Sequence, residues 1–235
     1  MNPKSAEQDR KSEGGVDVLL MVAVVAVAAT FVRAIAFTPE EARQGAAQKI
    51  LYVHATSAFI ALYVAFGLLA VASGLYLWLR DEKLDRVAES AAEVGLAFTS
   101  VVLVTGPLWG KPVWGTWWTW DARLTATLFL WFIILSYLVL RGAVDDREAR
   151  ARYSAVIGLL AVVLVPFIHL SVYLFRTLHP MPILLKPSAP SMPVEMQKTF
   201  FMGFAAFLIL FVALVRARYR LATLRDRVLE REAGS

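Results

Sequence analysis

Six apolar runs divide the chain, each close to the length of about 20 residues that lets a helix cross the hydrocarbon core of a bilayer. The first runs from Val16 to Ala36, interrupted by Asp17 near one end and Arg33 near the other. Thr38-Pro39-Glu40-Glu41 follows with the marks of a helix start, a capping Thr, a Pro for the first turn and two acids behind it. It predicts a short interfacial helix to about Lys49. The second run, from about Ile50 to Leu79, is long enough to tilt or protrude. A charged turn from Arg80 to Arg86 precedes the third, about Ala91 to Leu108, which carries Glu93 near its start. The fourth spans Leu124 to Leu140 and ends at a charged turn from Arg141 to Arg152. The fifth, Tyr153 to Phe175, is predicted to bend at Pro166. A loop from Arg176 to Lys198 holds Pro180, Pro182, Pro187, Pro190 and Pro193, and the sixth run, Thr199 to Val215, leads into a charged helix.

The pattern predicts an all-α polytopic membrane protein: one bundle of six transmembrane helices over residues 16–216, between a polar tail of residues 1–15 and a C-terminal helix or tail of residues 217–235. No internal repeat or low-complexity tract interrupts it. Basic residues set the expected orientation. Sixteen Lys and Arg fall in the two tails and the turns at 80–86 and 141–152, against seven in the opposite loops, Arg43, Lys49, Lys111, Arg123, Arg176, Lys186 and Lys198. Positive charge marks the cytoplasmic side, so both termini are expected inside. The loop between spans 3 and 4 is then an outer loop.

Composition agrees and narrows the chemistry. Hydrophobic residues make up 58% of 235 positions, charged residues only 18%, and mean hydropathy is +0.59. Loop bias accounts for the net charge of +5, and nucleic acid is not needed to explain it. With no cysteine, the chain forms neither a disulfide, nor a thiolate metal site, nor a thioether-linked haem. The polar N-terminus carries no small-residue cleavage site after its apolar run, so the first span is expected to be retained.

Candidate chemistry concentrates in one stretch. Five of the seven tryptophans, Trp109, Trp114, Trp117, Trp118 and Trp120, lie within twelve residues of the loop placed at about 109–123. Membrane proteins anchor themselves with interfacial Trp, but five together with two glycines and a proline suit a platform for something flat and apolar. Asp121 and Arg123 at its end offer an ion pair or a handle for a charged group. The expected orientation brings two histidines to the same depth: His54, one turn into the second span from its outer end, and His179, which opens the outer loop after the fifth. His169, ten residues earlier, lies roughly 15 Å deeper if the helix is continuous and reads as a satisfied core histidine. A porphyrin is a flat apolar disc whose iron takes a neutral imidazole on each face, and whose propionates Arg123 or Lys111 could meet. A quinone is the competing flat ligand.

The run Trp-Gly-Lys-Pro-Val-Trp-Gly-Thr-Trp-Trp-Thr-Trp-Asp-Ala-Arg-Leu-Thr, from Trp109 to Thr125, resembles the tryptophan-rich WWD signature of the haem-handling proteins of cytochrome c biogenesis. Among these the chain is most similar to the small six-span CcmC family; the haem lyase of the pathway and the alternative-pathway protein are longer or carry more spans. Lys49-Ile50-Leu51-Tyr52-Val53-His54 resembles that family's segment before its first axial histidine, and Pro166 through His179 its fifth span and second axial histidine. The resemblance runs from about Lys49 to the sixth span. It implies an inner-membrane protein that holds haem b non-covalently at its outer face, with His54 and His179 as the iron ligands. It also implies partners: a membrane-anchored haem chaperone (protein E), an ABC transporter of A and B proteins, and the small protein D.

The expected mechanism is transfer by presentation. Trp114, Trp117, Trp118 and Trp120 pack the porphyrin, and Asp121 and Arg123 orient the loop or contact the chaperone. No nucleophile, acid–base pair or phosphate loop is visible, so the protein reads as a delivery protein rather than an enzyme. A quinone- or haem-linked redox protein is the alternative, and it would use His169 as a further ligand. A channel gated by the Trp loop would need polar residues lining several spans, and mid-span charges are nearly absent.

Overall fold

The computed structural model describes residues 17–181 and 191–233. The whole N-terminal tail, with its basic residues, and Pro182, Lys186, Pro187 and Pro190 of the Pro-rich loop lie outside the described residues. Each expected span is a helix long and apolar enough to cross a membrane: α1 (Val18–Phe37), α2 (Ala46–Leu79), α3 (Glu82–Trp114), α4 (Ala122–Ala143), α5 (Arg147–Leu174) and α6 (Val194–Ala233). Among the described residues there is no strand, only an isolated antiparallel bridge between Glu41 and Gly45.

Aspartates start four of these helices by accepting N–H groups that the first turn leaves free. Asp17 caps α1, Asp81 α3, Asp121 α4 and Asp146 α5. The segment after Thr38 behaves differently from its sequence signature. Thr38 is buried, its hydroxyl hydrogen-bonded to the Arg33 carbonyl and to Thr199 of α6, so it cannot cap a helix of its own. The Glu41 carboxylate accepts from the N–H groups of Arg43 and Gln44 in a tight turn, and helix resumes only at Ala46.

Two further departures have local causes. α3 begins at Glu82 rather than Ala91 and continues past Leu108 to Trp114, through Pro107 and Pro112. Its first turns are charged because they pair with other helices, and its last turns are polar and Gly-Pro-rich, so hydropathy alone truncates it at both ends. α5 is interrupted at Val163 rather than at Pro166. A proline cannot supply the N–H owed to the carbonyl four residues back and clashes with it. For Pro166 that residue is Val162, the last before the break.

α3 is the central helix, against α2, α4 and α6; α2 also meets α5 and α6, and α4 meets α5. α1 is peripheral and packs mainly on α6. The main core interdigitates Phe66 and Leu69 of α2, Phe98 of α3, Leu130, Ile134 and Tyr137 of α4, Ile168 of α5, and Phe207 and Phe211 of α6. A smaller cluster of Leu51, Tyr52, Met192, Met196 and Phe200 closes the end that bears the Trp-rich stretch, with Trp109 packed on it. The opposite end, where Asp17 pairs with Arg220, is held by charge: Arg141 bridges Asp85 and Glu89, Arg225 also grips Glu89, and Arg86 and Arg147 converge on Asp226.

Candidate functional site

His54 sits in the first turns of α2, 8% exposed, with its Nδ1 3.0 Å from Thr105 Oγ1 of α3. The single Thr105 proton is already given to the Val101 carbonyl at 2.7 Å, so the Thr105 oxygen must accept here and His54 Nδ1 must carry the proton. Nε2 is thereby left with its lone pair, the form in which an imidazole binds a metal. Gly106 makes the fit possible: a Cβ there would lie 3.3 Å from His54 Cε1.

His179 comes from the chain beyond α5, yet its ring faces that of His54, with centroids 6.3 Å apart and planes 32° from parallel. Asp121 holds it in place. While one carboxylate oxygen caps α4 through the N–H groups of Arg123 and Leu124, the other accepts from Leu178 N–H at 3.2 Å and from the Thr119 hydroxyl. The His179 Nδ1 is buried and has no hydrogen-bond partner among the described residues. Burial, reinforced by Arg123 and His54 against the opposing pull of Asp121, lowers its pKa to about 3, so it is neutral at pH 7.

The tryptophans divide into two layers. Trp109 and Trp114 belong to the last turns of α3 and touch the histidines: Trp109 lies edge-on to His54 at 5.7 Å and Trp114 lies 5.5 Å from His179. Trp109 Nε1 donates to Gln44 Oε1 at 2.9 Å, fixing the ring against the turn before α2. A Cβ at Gly110 would come within 3.1 Å of the Trp114 ring, so the bare glycine gives that indole its seat. Gly115 then ends α3 in the left-handed conformation at φ +77°, its N–H on the Lys111 carbonyl. The loop proper is therefore only residues 115–121. In it Trp117 and Trp120 are 56% and 76% exposed, Trp118 meets Trp120 edge to face, and Lys111 reaches over Trp117. These three indoles make no ring contact with either histidine; Trp117 and Trp120 form the outward surface of the platform, while Trp118 is half-buried, its Nε1 buried with no hydrogen-bond partner among the described residues.

Arg123, in the first turn of α4, is close enough to His54, His179, Tyr63 and Tyr173 to act on each electrostatically. Its guanidinium donates no hydrogen bond to any described residue. His169 is not part of the pair; its Nδ1 is 2.7 Å from the Tyr63 hydroxyl on α2.

This donor set fits a haem. Two imidazoles on opposite sides of one metal place their nitrogens about 4 Å apart, taking roughly 2.0–2.1 Å per bond as for zinc–imidazole. Ring centroids lie further out, so the 6.3 Å separation of His54 and His179 is compatible. The buried Nδ1 of His179 and the unpaired guanidinium of Arg123 are groups that a ligand bearing a metal and carboxylates would satisfy. Thr105, Gln44 and Gly106 carry no motif that the sequence could show, because each acts on a residue brought near by packing.

A sequence model of the family described as "CcmC: Heme exporter protein C" matches residues 4–234. The chain is 38% identical to "Heme exporter protein C" of Haemophilus influenzae over 192 residues, 82% of this chain and 78% of the relative. It is 37% identical to the protein of the same name in Bradyrhizobium diazoefficiens, over 85% of this chain and 74% of the relative. A "Putative cytochrome c biosynthesis ccmC-like mitochondrial protein" of Marchantia polymorpha is 35% identical, over 73% of this chain and 72% of the relative.

Proposed function

This chain belongs to the heme exporter protein C family, and from that premise we propose that it binds haem b non-covalently between His54 and His179 and presents it for delivery. Membership makes it a multi-pass membrane protein with a haem-handling role in cytochrome c biogenesis. The observation that carries the finer reading is the facing pair of imidazoles 6.3 Å apart, drawn from distant parts of the chain and bordered by Trp109 and Trp114.

In the proposed mechanism His54 and His179 would hold the haem, which would supply an iron able to take their imidazole nitrogens. His54, with its proton held on Nδ1 by Thr105, offers Nε2. His179, neutral, is offered from the chain beyond α5, where Asp121 accepts from the Leu178 N–H, so one ligand sits on a helix and the other on a segment that can be withdrawn. Trp109 and Trp114 shield the imidazoles from water, and Arg123 meets the carboxylates. Trp117 and Trp120 lie on the outside, with Trp118 half-buried against Trp120, and give a partner something apolar to dock on. An exposed interfacial platform holds its cargo loosely enough to release it.

The basic residues of the tails and of the turns at 80–86 and 141–152 support termini in the cytoplasm and a haem face on the periplasmic side of a bacterial inner membrane. The recipient is a membrane-anchored haem chaperone (CcmE-like), and the assembly includes ABC transporter subunits (CcmA- and CcmB-like) and a small CcmD-like protein. The role is delivery, not catalysis. The test is the absorption and pyridine haemochrome spectrum of detergent-purified protein beside His54→Ala and His179→Ala. A six-coordinate low-spin b-type spectrum, lost or turned high-spin in either variant, is expected; protein that stays haem-free with excess haem and its partners would overturn the reading.

A further inference from the structure

The pairing of Tyr63 with His169 is a second polar cluster at membrane depth, and the mechanism above makes no use of it. Polar and ionisable groups inside a membrane are costly and mark function by default. Tyr63 follows His54 by nine residues on α2, about 13 Å along the helix at 1.5 Å per residue, and His169 lies within α5 whereas His179 lies in the chain beyond its end, so the pair sits deeper than the two histidines of the platform. Tyr63 belongs to a π-helical turn, Ile60–Ala65, a distortion that breaks the regular register of α2 and recurs at functional sites. His169 follows the break at Val163 in α5, and Tyr173 lies one turn on, its ring 6.2 Å from the imidazole.

The cluster opens outward. Tyr63 is 44% and Tyr173 51% exposed on the outside of the bundle, with Phe59 beside Tyr63. Only one nitrogen of His169 is engaged; Nε2 has no hydrogen-bond partner among the described residues. An Nδ1–H given to the Tyr63 oxygen leaves Nε2 free, the arrangement in which a histidine orients toward a metal through an outer partner. Arg123 lies within electrostatic reach of Tyr63 and Tyr173 as well as of both histidines, and its guanidinium donates no hydrogen bond among the described residues. Aromatic walls, a free imidazole nitrogen and a cation suit a flat apolar molecule bearing a metal and carboxylates. A neutral lipid tail would have no use for Arg123.

We propose that the seam where Tyr63 of α2 meets His169 and Tyr173 of α5 is a lateral entry site, at which haem arriving through the bilayer is held by His169 before it moves outward past Arg123 to His54 and His179. The inference rests on the haem reading above and extends it to the route of entry. His169 binds the iron in passing, Tyr63 orients His169, and the Arg123 guanidinium draws the carboxylates toward the outer pair.

The experiment uses the full chain in phosphatidylcholine nanodiscs, with haem supplied from phosphatidylcholine vesicles and loading followed by stopped-flow absorbance. His169→Ala is expected to slow loading by on the order of tenfold, as loss of a ligand or its outer partner does at metal sites, and to leave the final low-spin spectrum unchanged. That unchanged end state also shows that the variant is folded. In a His54→Ala/His179→Ala background a residual high-spin haem signal is expected, and His169→Ala should abolish it. Loading of His169→Ala at the wild-type rate, or a residual signal indifferent to His169, overturns the entry site. Failure of the underlying reading looks different: wild-type protein would then never develop the low-spin spectrum.

Discussion

At the scale of single residues the site depends on protons placed by neighbours. Thr105 gives its only proton to Val101 and therefore accepts from His54 Nδ1, which fixes Nε2 as the ligating nitrogen. Thr105→Val keeps the shape and removes the acceptor. Haem affinity is expected to fall 10- to 100-fold, roughly the cost of losing an outer partner of a metal-bound histidine, and Thr105→Ser should restore it; spectrophotometric haem titration of the purified protein checks both. His179 carries a pH signature. Its folded pKa of about 3 lies below the ordinary imidazole value of about 6.5, so below pH 6.5 the unfolded chain binds the proton and the folded chain does not. The haem-free protein should therefore lose stability as pH falls from 6.5 toward 3, with no such dependence from this group above 6.5. Thermal midpoints measured across that range should decline less steeply in His179→Gln, which has no proton to gain.

At the scale of elements the question is how segments far apart in sequence are brought into one site. Asp121 caps α4 and also accepts from Leu178 N–H, so the start of one helix anchors the chain that follows another. Asp121→Ala should cost about 0.5–2 kcal/mol for the cap and should also free His179. The expected spectral result is a shift from low-spin to high-spin haem, whereas a variant damaged only in its cap would melt earlier with an unchanged spectrum. Hydropathy made the six spans legible, and the density of tryptophan pointed to the site together with His54 and His179, because both are local signals. The limits of α3 were hidden, since its charged first turns and its Gly-Pro-rich last turns are helical only in the company of α4, α6 and the turn before α2. Trp109 and Trp114 were thus expected in a loop, where helix presents them to the histidines. His169 read as an ordinary core histidine because nothing in the sequence foretells that the π-helical turn brings Tyr63 within 2.7 Å of it.

At the scale of the whole molecule the two ends of the bundle are stabilised by different means, and this makes them separable. The platform end is aromatic and lightly tethered, whereas the opposite end is locked by charge. Arg141 is buried at the last turn of α4, its two terminal nitrogens on Asp85 and one of them also on Glu89, and Arg225 of α6 grips Glu89 from the other side. The network joins α3, α4 and α6. Replacing a buried ion pair as a whole can be neutral, but removing one partner strands the others: Arg141→Ala leaves two carboxylates with too few cations and is expected to cost about 3–5 kcal/mol. Arg141→Lys should recover only part of this, because an ammonium cannot make the paired contacts of a planar guanidinium. Eighteen residues of α4 separate Arg141 from Arg123, about 27 Å at 1.5 Å per residue, so the change is remote from the imidazoles. A lower thermal midpoint in detergent is therefore expected, with the haem spectrum of the folded fraction the same as in wild type. An altered spectrum at unchanged stability would mean instead that α4 transmits the state of its charged end to the haem platform.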